Sequence, residues 1–194
     1  MKHYLIIGSL ALATVMGGCN SKPADKEAQS AETAVVAEKF GPTSTQKFHD
    51  AAFFDLYGNV KSCEIEDTGN HSVTTLQFDA DGKLIPDKAM AGRYAFEYDA
   101  DGYPSAYPAG TLTWDRGRLS KSTGESEASC TYDDQGVMTE MTTPAVNYAY
   151  RVTETDPVGN WTKRHVKTMK LDKDGNVAEV TESFQRRTIE YYAD

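Results

Sequence analysis

Cations are what this sequence has least of in proportion. Its 194 residues carry 20 Lys and Arg against 29 Asp and Glu, a net charge of −9. That balance excludes nucleic acid as a partner, because phosphate binding draws on clustered Lys and Arg. Long apolar runs are scarce as well: the stretch Tyr4 to Met16 has 13 residues, short of the roughly 20 that a spanning helix needs. Histidine and cysteine are few, and His3, His49, His71 and His165 show no zinc-type spacing with one another or with cysteine. There is no Gly-x-Ser-x-Gly elbow and no phosphate-binding glycine loop. No cofactor, metal or reaction is therefore legible. Leucine gives way to 11 Tyr and 7 Phe, with 15 Gly, a composition that favours strands joined by tight turns over helical bundles. The length suits one domain with a real core.

The N-terminus is a separate object. Lys2 and His3 precede the apolar run, which ends in Met16-Gly17-Gly18-Cys19 and reads as a signal peptide over residues 1–18. Two small residues before a cysteine resemble the lipobox of bacterial lipoproteins. That resemblance implies acylation of Cys19, which then becomes the mature N-terminus and the attachment to the membrane. Asn20, rather than Asp, implies sorting to the outer membrane. Residues 19–46 are rich in Ala, Glu, Lys, Ser and Thr, with no large aromatic before Phe40. Such a stretch buries too little to offset chain entropy, so it reads as a disordered tether.

From residue 47 to 194 one phrase recurs: an aromatic or apolar residue, Asp, two spacers, Gly. The copies are Phe54-Asp55-Leu56-Tyr57-Gly58, Phe78 to Gly82, Tyr98 to Gly102, Tyr132 to Gly136 and Leu171 to Gly175. Trp114-Asp115-Arg116-Gly117 is one residue short, and Thr155-Asp156-Pro157-Val158-Gly159 lacks the aromatic. Asp can open a turn by accepting backbone N–H groups, and Gly supplies the left-handed position that closes it. Flanking segments such as Tyr94, Phe96, Tyr98 and Val146, Tyr148, Tyr150, Val152 alternate as strands do. One hairpin per phrase, stacked on its neighbours, predicts an all-β domain: a curved antiparallel sheet of about seven repeats. Gly82, Gly136 and Gly175 are expected at positive φ, whereas Gly124 lies outside the phrase and is expected to tolerate substitution. The phrase resembles the YD repeat, also called the RHS-like repeat, and the segment Asp156 to Arg164 is similar to a common variant of it. The resemblance spans nearly the whole domain and implies a short YD-repeat lipoprotein, a fold rather than an activity.

Asp79-Ala80-Asp81-Gly82 and Asp172-Lys173-Asp174-Gly175 look like fragments of a calcium loop. With Gly at loop position 6, however, the terminal ligand positions are Gln77 and Lys88 in one case and Lys170 and Thr181 in the other. Turn formation is the better account of these aspartates. Cys63 and Cys130 form either a disulfide, which an exported compartment permits, or two buried thiols. Two Tyr-Pro pairs at Tyr103-Pro104 and Tyr107-Pro108 interrupt the strand pattern, which predicts an edge or protruding loop offering Tyr103 and Tyr107 to a partner. The functional expectation is a non-catalytic, outer-membrane-anchored module of the cell envelope that binds a protein or glycan or contributes structure. The alternative is a secreted hydrolase-like enzyme with a site assembled from distant strands, which a deep pocket holding perturbed carboxylates and His165 would favour.

Overall fold

A computed structural model of the chain describes residues 44–125 and 127–193. The signal peptide, Cys19 and nearly all of the tether lie outside the described residues. A short helix, α1 (Asp50–Phe53), precedes eleven strands: β1 (Val60–Asp67), β2 (Ser72–Gln77), β3 (Glu97–Tyr98), β4 (Pro104–Tyr107), β5 (Gly110–Asp115), β6 (Arg118–Gly124), β7 (Ala128–Tyr132), β8 (Met138–Thr142), β9 (Val146–Thr155), β10 (Trp161–Leu171) and β11 (Val177–Tyr191). They form one antiparallel sheet in the order β2-β1-β11-β10-β9-β8-β7-β6-β5-β4-β3. From β3 to β11 the spatial order follows the chain. The hairpin β1–β2 then pairs back onto the last strand, with Ile65 opposite Arg187 and Asp67 opposite Gln185.

The sheet is not closed, yet it curls until its two ends share a core. Cys63, Leu76, Phe78 and Leu84 at one end pack with Tyr94 and Phe96, which lead into β3 at the other. Helix α1 plugs the curl. Phe53 stands 5.7 Å from Tyr94, 5.3 Å from Phe96 and 5.5 Å from Tyr107, ring centre to ring centre. The Tyr94 and Tyr107 pairs are edge-on and the Phe96 pair is tilted, and an aromatic pair of this kind adds roughly 0.5–1.5 kcal/mol to the area it buries. A helix of four residues has too little propensity to stand alone. This one is held by tertiary contacts: the Asp50 carboxylate accepts the backbone N–H of Leu84 at 2.7 Å and the Tyr98 hydroxyl at 3.2 Å.

The recurring phrase builds the turns. In five of its copies the same three bonds recur: the Asp carboxylate accepts the N–H four residues on, the Gly N–H reaches the Asp carbonyl, and the Asp N–H closes the loop. At Asp79 these are Lys83 N–H to Oδ1 at 2.9 Å, Gly82 N–H at 3.0 Å and the bond to the Lys83 carbonyl at 2.9 Å. Asp99, Asp133, Asp156 and Asp172 repeat the set. The short copy at Asp115 makes a tighter hairpin, with Arg116 and Gly117 both left-handed.

Four expectations need correction. The copy at Phe54–Gly58 is not a hairpin; it follows α1 and runs into the curl, and Asp55 itself is left-handed, with φ 57. The unit is not always a two-stranded one, since the single strand β10 separates the turns at Gly159 and Gly175. Gly124 is constrained despite lying outside the phrase. Its φ is +107, and a Cβ there would lie 2.4 Å from the Ala109 carbonyl, because β5 and β6 approach closely at the Gly110–Gly124 pair. Finally, residues 44–46 belong to the domain rather than the tether, since Thr45 N–H donates to Asn59 and the Gln46 amide to the Asp79 carbonyl.

Candidate functional site

The inside of the curl holds a cavity of about 570 Å³, within the range of about 300–1,000 Å³ typical of ligand pockets. Apolar walls come from Phe53, Phe54, Met90, Tyr94, Met138 and Met141, and its rim carries the exposed Val73, Asp87 and Arg93. The floor is ionic. Alternation along β10 and β11 points Arg164, Gln185 and Arg187 inward, beside Trp161. The loop after α1 supplies Asp55 from above. A second cavity of about 270 Å³, beside the turns at Gly136 and Gly159, shares Asp55, Met138 and Trp161 with the first.

These side chains reach one another across great sequence distances. Trp161 Nε1 donates to Asp55 Oδ2 at 3.0 Å, and the Tyr57 hydroxyl donates to Oδ1 at 3.0 Å. Arg164 donates from Nε to Gln185 at 2.8 Å and places Nη1 3.9 Å from Asp55. Arg187 donates to the carbonyls of Asp55 and Phe54. Asn160 clamps the same loop by exchanging two 2.8 Å bonds with the Tyr57 backbone. The two clamps hold Asp55 in its left-handed conformation, which costs a non-glycine residue about 1–3 kcal/mol.

Both guanidinium groups lie over the Trp161 ring, at 3.9 Å for Arg164 and 3.6 Å for Arg187, and Arg164 also covers Tyr150 at 3.6 Å. Such stacking tolerates burial better than an ammonium would, because guanidinium is weakly hydrated. Burial, together with the like charge of Arg164, still lowers the Arg187 pKa to about 10. Burial raises the phenols of Tyr57 and Tyr132 above their ordinary range. The floor is thus a charged, water-poor surface beneath apolar walls.

The residues singled out from sequence fall elsewhere. Tyr107 is core, 8% exposed among Phe53, Leu112 and Leu119. Tyr103 is half-buried, stacked on His49 at 4.4 Å and near Trp114 at 5.2 Å. Where an edge or a protruding loop was expected stands strand β4, next to the edge of the sheet: Pro104 meets the two-residue edge strand β3, which needs few ladder donors, and Pro108 sits in the tight turn to β5. Cys63 and Cys130 are free thiols on strands β1 and β7, packed in different clusters. His165 points away from the cavity, 3.3 Å from Glu182 and against Phe184. The Asp turns spend their carboxylates on backbone N–H groups, and the described residues hold no cluster of three metal-type ligands.

Sequence reasoning missed Arg164, Arg187 and Gln185. The available signal was a charge at an inward strand position: Arg187 alternates with Ile189 and Tyr191, and Arg164 with Val166. These features define an open, curled antiparallel sheet with a central cavity. No family model matches the chain, and no curated protein does.

Proposed function

We propose that the chain is a non-catalytic lipoprotein of the bacterial outer membrane, tethered through Cys19, whose β-repeat module binds its partner in the cavity of the curl. The observation that carries this reading is the cavity itself. Apolar walls over a small set of convergent polar groups are what ligand sites share, and the chemistry on the floor suits holding a ligand rather than transforming one. Asp55 is the natural candidate for a base under the hydrolase alternative, because it is a buried carboxylate in a strained backbone conformation. Both of its oxygens already accept hydrogen bonds from Trp161 and Tyr57. With both oxygens engaged in this way, the carboxylate serves to position the floor.

Two measurements test the reading. Membrane fractionation of wild type and Cys19→Ala should place wild type with outer-membrane material and lose that attachment in the variant. Titration of an apolar fluorescent probe into the mature chain should saturate at one site. Equal membrane retention of both proteins defeats the anchor, and a linear, non-saturating probe response defeats the cavity.

A further inference from the structure

Taking the cavity as the binding site, we infer that its ligand is an amphiphile with an apolar tail and one anionic group, a carboxylate or a phosphate, and that Arg187 receives the anionic group. The carboxylates of the floor are engaged by other groups, and Arg187 is left without an ion pair of its own. Arg187 is 8% exposed, and no carboxylate among the described residues lies within ion-pairing distance of it. Its terminal nitrogens donate to two neutral carbonyls, and its buried Nε has no hydrogen-bond partner among the described residues. Asp55 is shared among Trp161, Tyr57 and Arg164, and the half-buried Asp67 accepts the Gln185 amide at 2.7 Å. A buried charge without a directly paired counter-charge is costly. An anion arriving at Arg187 removes that cost and gains a charge-assisted hydrogen bond in a site that excludes water. A neutral head leaves the charge as it was, and a cationic head adds to the repulsion that Arg164 already exerts. Above the floor, Phe54, Met90, Tyr94 and Met141 leave a place for an alkyl tail.

The test is a head-group series on the mature chain carrying Cys19→Ala, which lacks the acyl group. Decanoate, decyl phosphate, decanol and decyltrimethylammonium are titrated below their micelle concentrations by calorimetry. The inference expects decanoate or decyl phosphate to bind about tenfold or more tighter than decanol, and the cation to bind weakest. Whichever anion binds tighter identifies the source as carboxylate or phosphate. Arg187→Gln should erase the preference while leaving decanol affinity in place, and Arg187→Lys should retain part of it. If Arg187→Gln does not fold, the series on the unsubstituted floor still decides. Affinities of decanoate and decyl phosphate both equal to that of decanol overturn the head-group inference and leave the cavity reading standing. Absence of saturable binding by all four overturns both.

Discussion

The guanidinium carbon of Arg187 lies 3.6 Å from the centre of the Trp161 ring, and its terminal nitrogens hold the carbonyls of Phe54 and Asp55. One side chain therefore ties β11 to β10 and both to the loop that enters the curl. Trp161 completes the arrangement by donating to Asp55 from its own edge. The floor of the cavity and the seat of the N-terminal plug are the same set of contacts.

Trp161→Leu should accordingly be severe, because it removes the stacking surface of two buried cations and the donor to Asp55. A loss of about 3 kcal/mol or more is expected in chemical denaturation. Trp161→Phe keeps an aromatic face and forfeits only the donor, so about 1–2 kcal/mol is expected. Equal losses for the two variants would show that stacking contributes nothing.

The glycine turns separate by their surroundings. A Cβ on Gly82 would meet the Phe48 carbonyl at 2.1 Å, and one on Gly124 the Ala109 carbonyl at 2.4 Å, whereas at Gly175 nothing lies within 4 Å. Gly175→Ala should cost about 1–2 kcal/mol, the strain of a left-handed alanine. Gly82→Ala and Gly124→Ala should each cost clearly more, because carbonyls must also move. Melting curves of the three variants test the ranking, and a benign Gly124→Ala would contradict it.

Asp50 gives the domain a pH signature. Burial raises its pKa above the ordinary 3.8, and one oxygen has no hydrogen-bond partner among the described residues. The folded state thus holds the proton more tightly than the unfolded chain. This site's contribution falls as pH rises from about 3.8 through the folded value and is restored on acidification. Asp50→Asn should lack that dependence, so its melting temperature relative to wild type should be higher at pH 7 than at pH 4. A difference that runs the opposite way would contradict the assignment.

The two cysteines should behave as inert thiols. Burial raises Cys63 to about 11 and Cys130 to about 12, so little thiolate exists at pH 8. Iodoacetamide should label neither in the folded protein and both after denaturation without reductant. Labelling that requires reductant would establish a disulfide instead.

The legible part of the structure was the local part. Asp79 and Lys83, or Asp172 and Asn176, form their turns within five residues, so the phrase in the sequence and the bonds in the fold coincide. Strand alternation in Val146 to Val152 is equally local, and it lies in β9. The copy at Asp55 carries the same letters and folds differently, because its partners Trp161 and Arg187 lie 106 and 132 positions away. Tyr107 deceived for a related reason: the neighbouring prolines Pro104 and Pro108 disrupt ladder bonding, but burial is set by Phe53, which α1 delivers from a point 54 positions earlier in the chain. Gly124 faces a carbonyl that only the register of β5 against β6 brings near.

The most direct test of the cavity uses Trp161 as its own reporter. The chain has two tryptophans, and Trp114 is not among the residues lining the cavity, so a Trp114→Phe background leaves fluorescence to the floor alone. Decanoate added to the mature Cys19→Ala, Trp114→Phe chain should shift the Trp161 emission saturably, with one ligand bound per chain. Spectra left unchanged by decanoate, decyl phosphate and decanol alike, from a protein whose melting curve shows an intact fold, would contradict binding in the cavity.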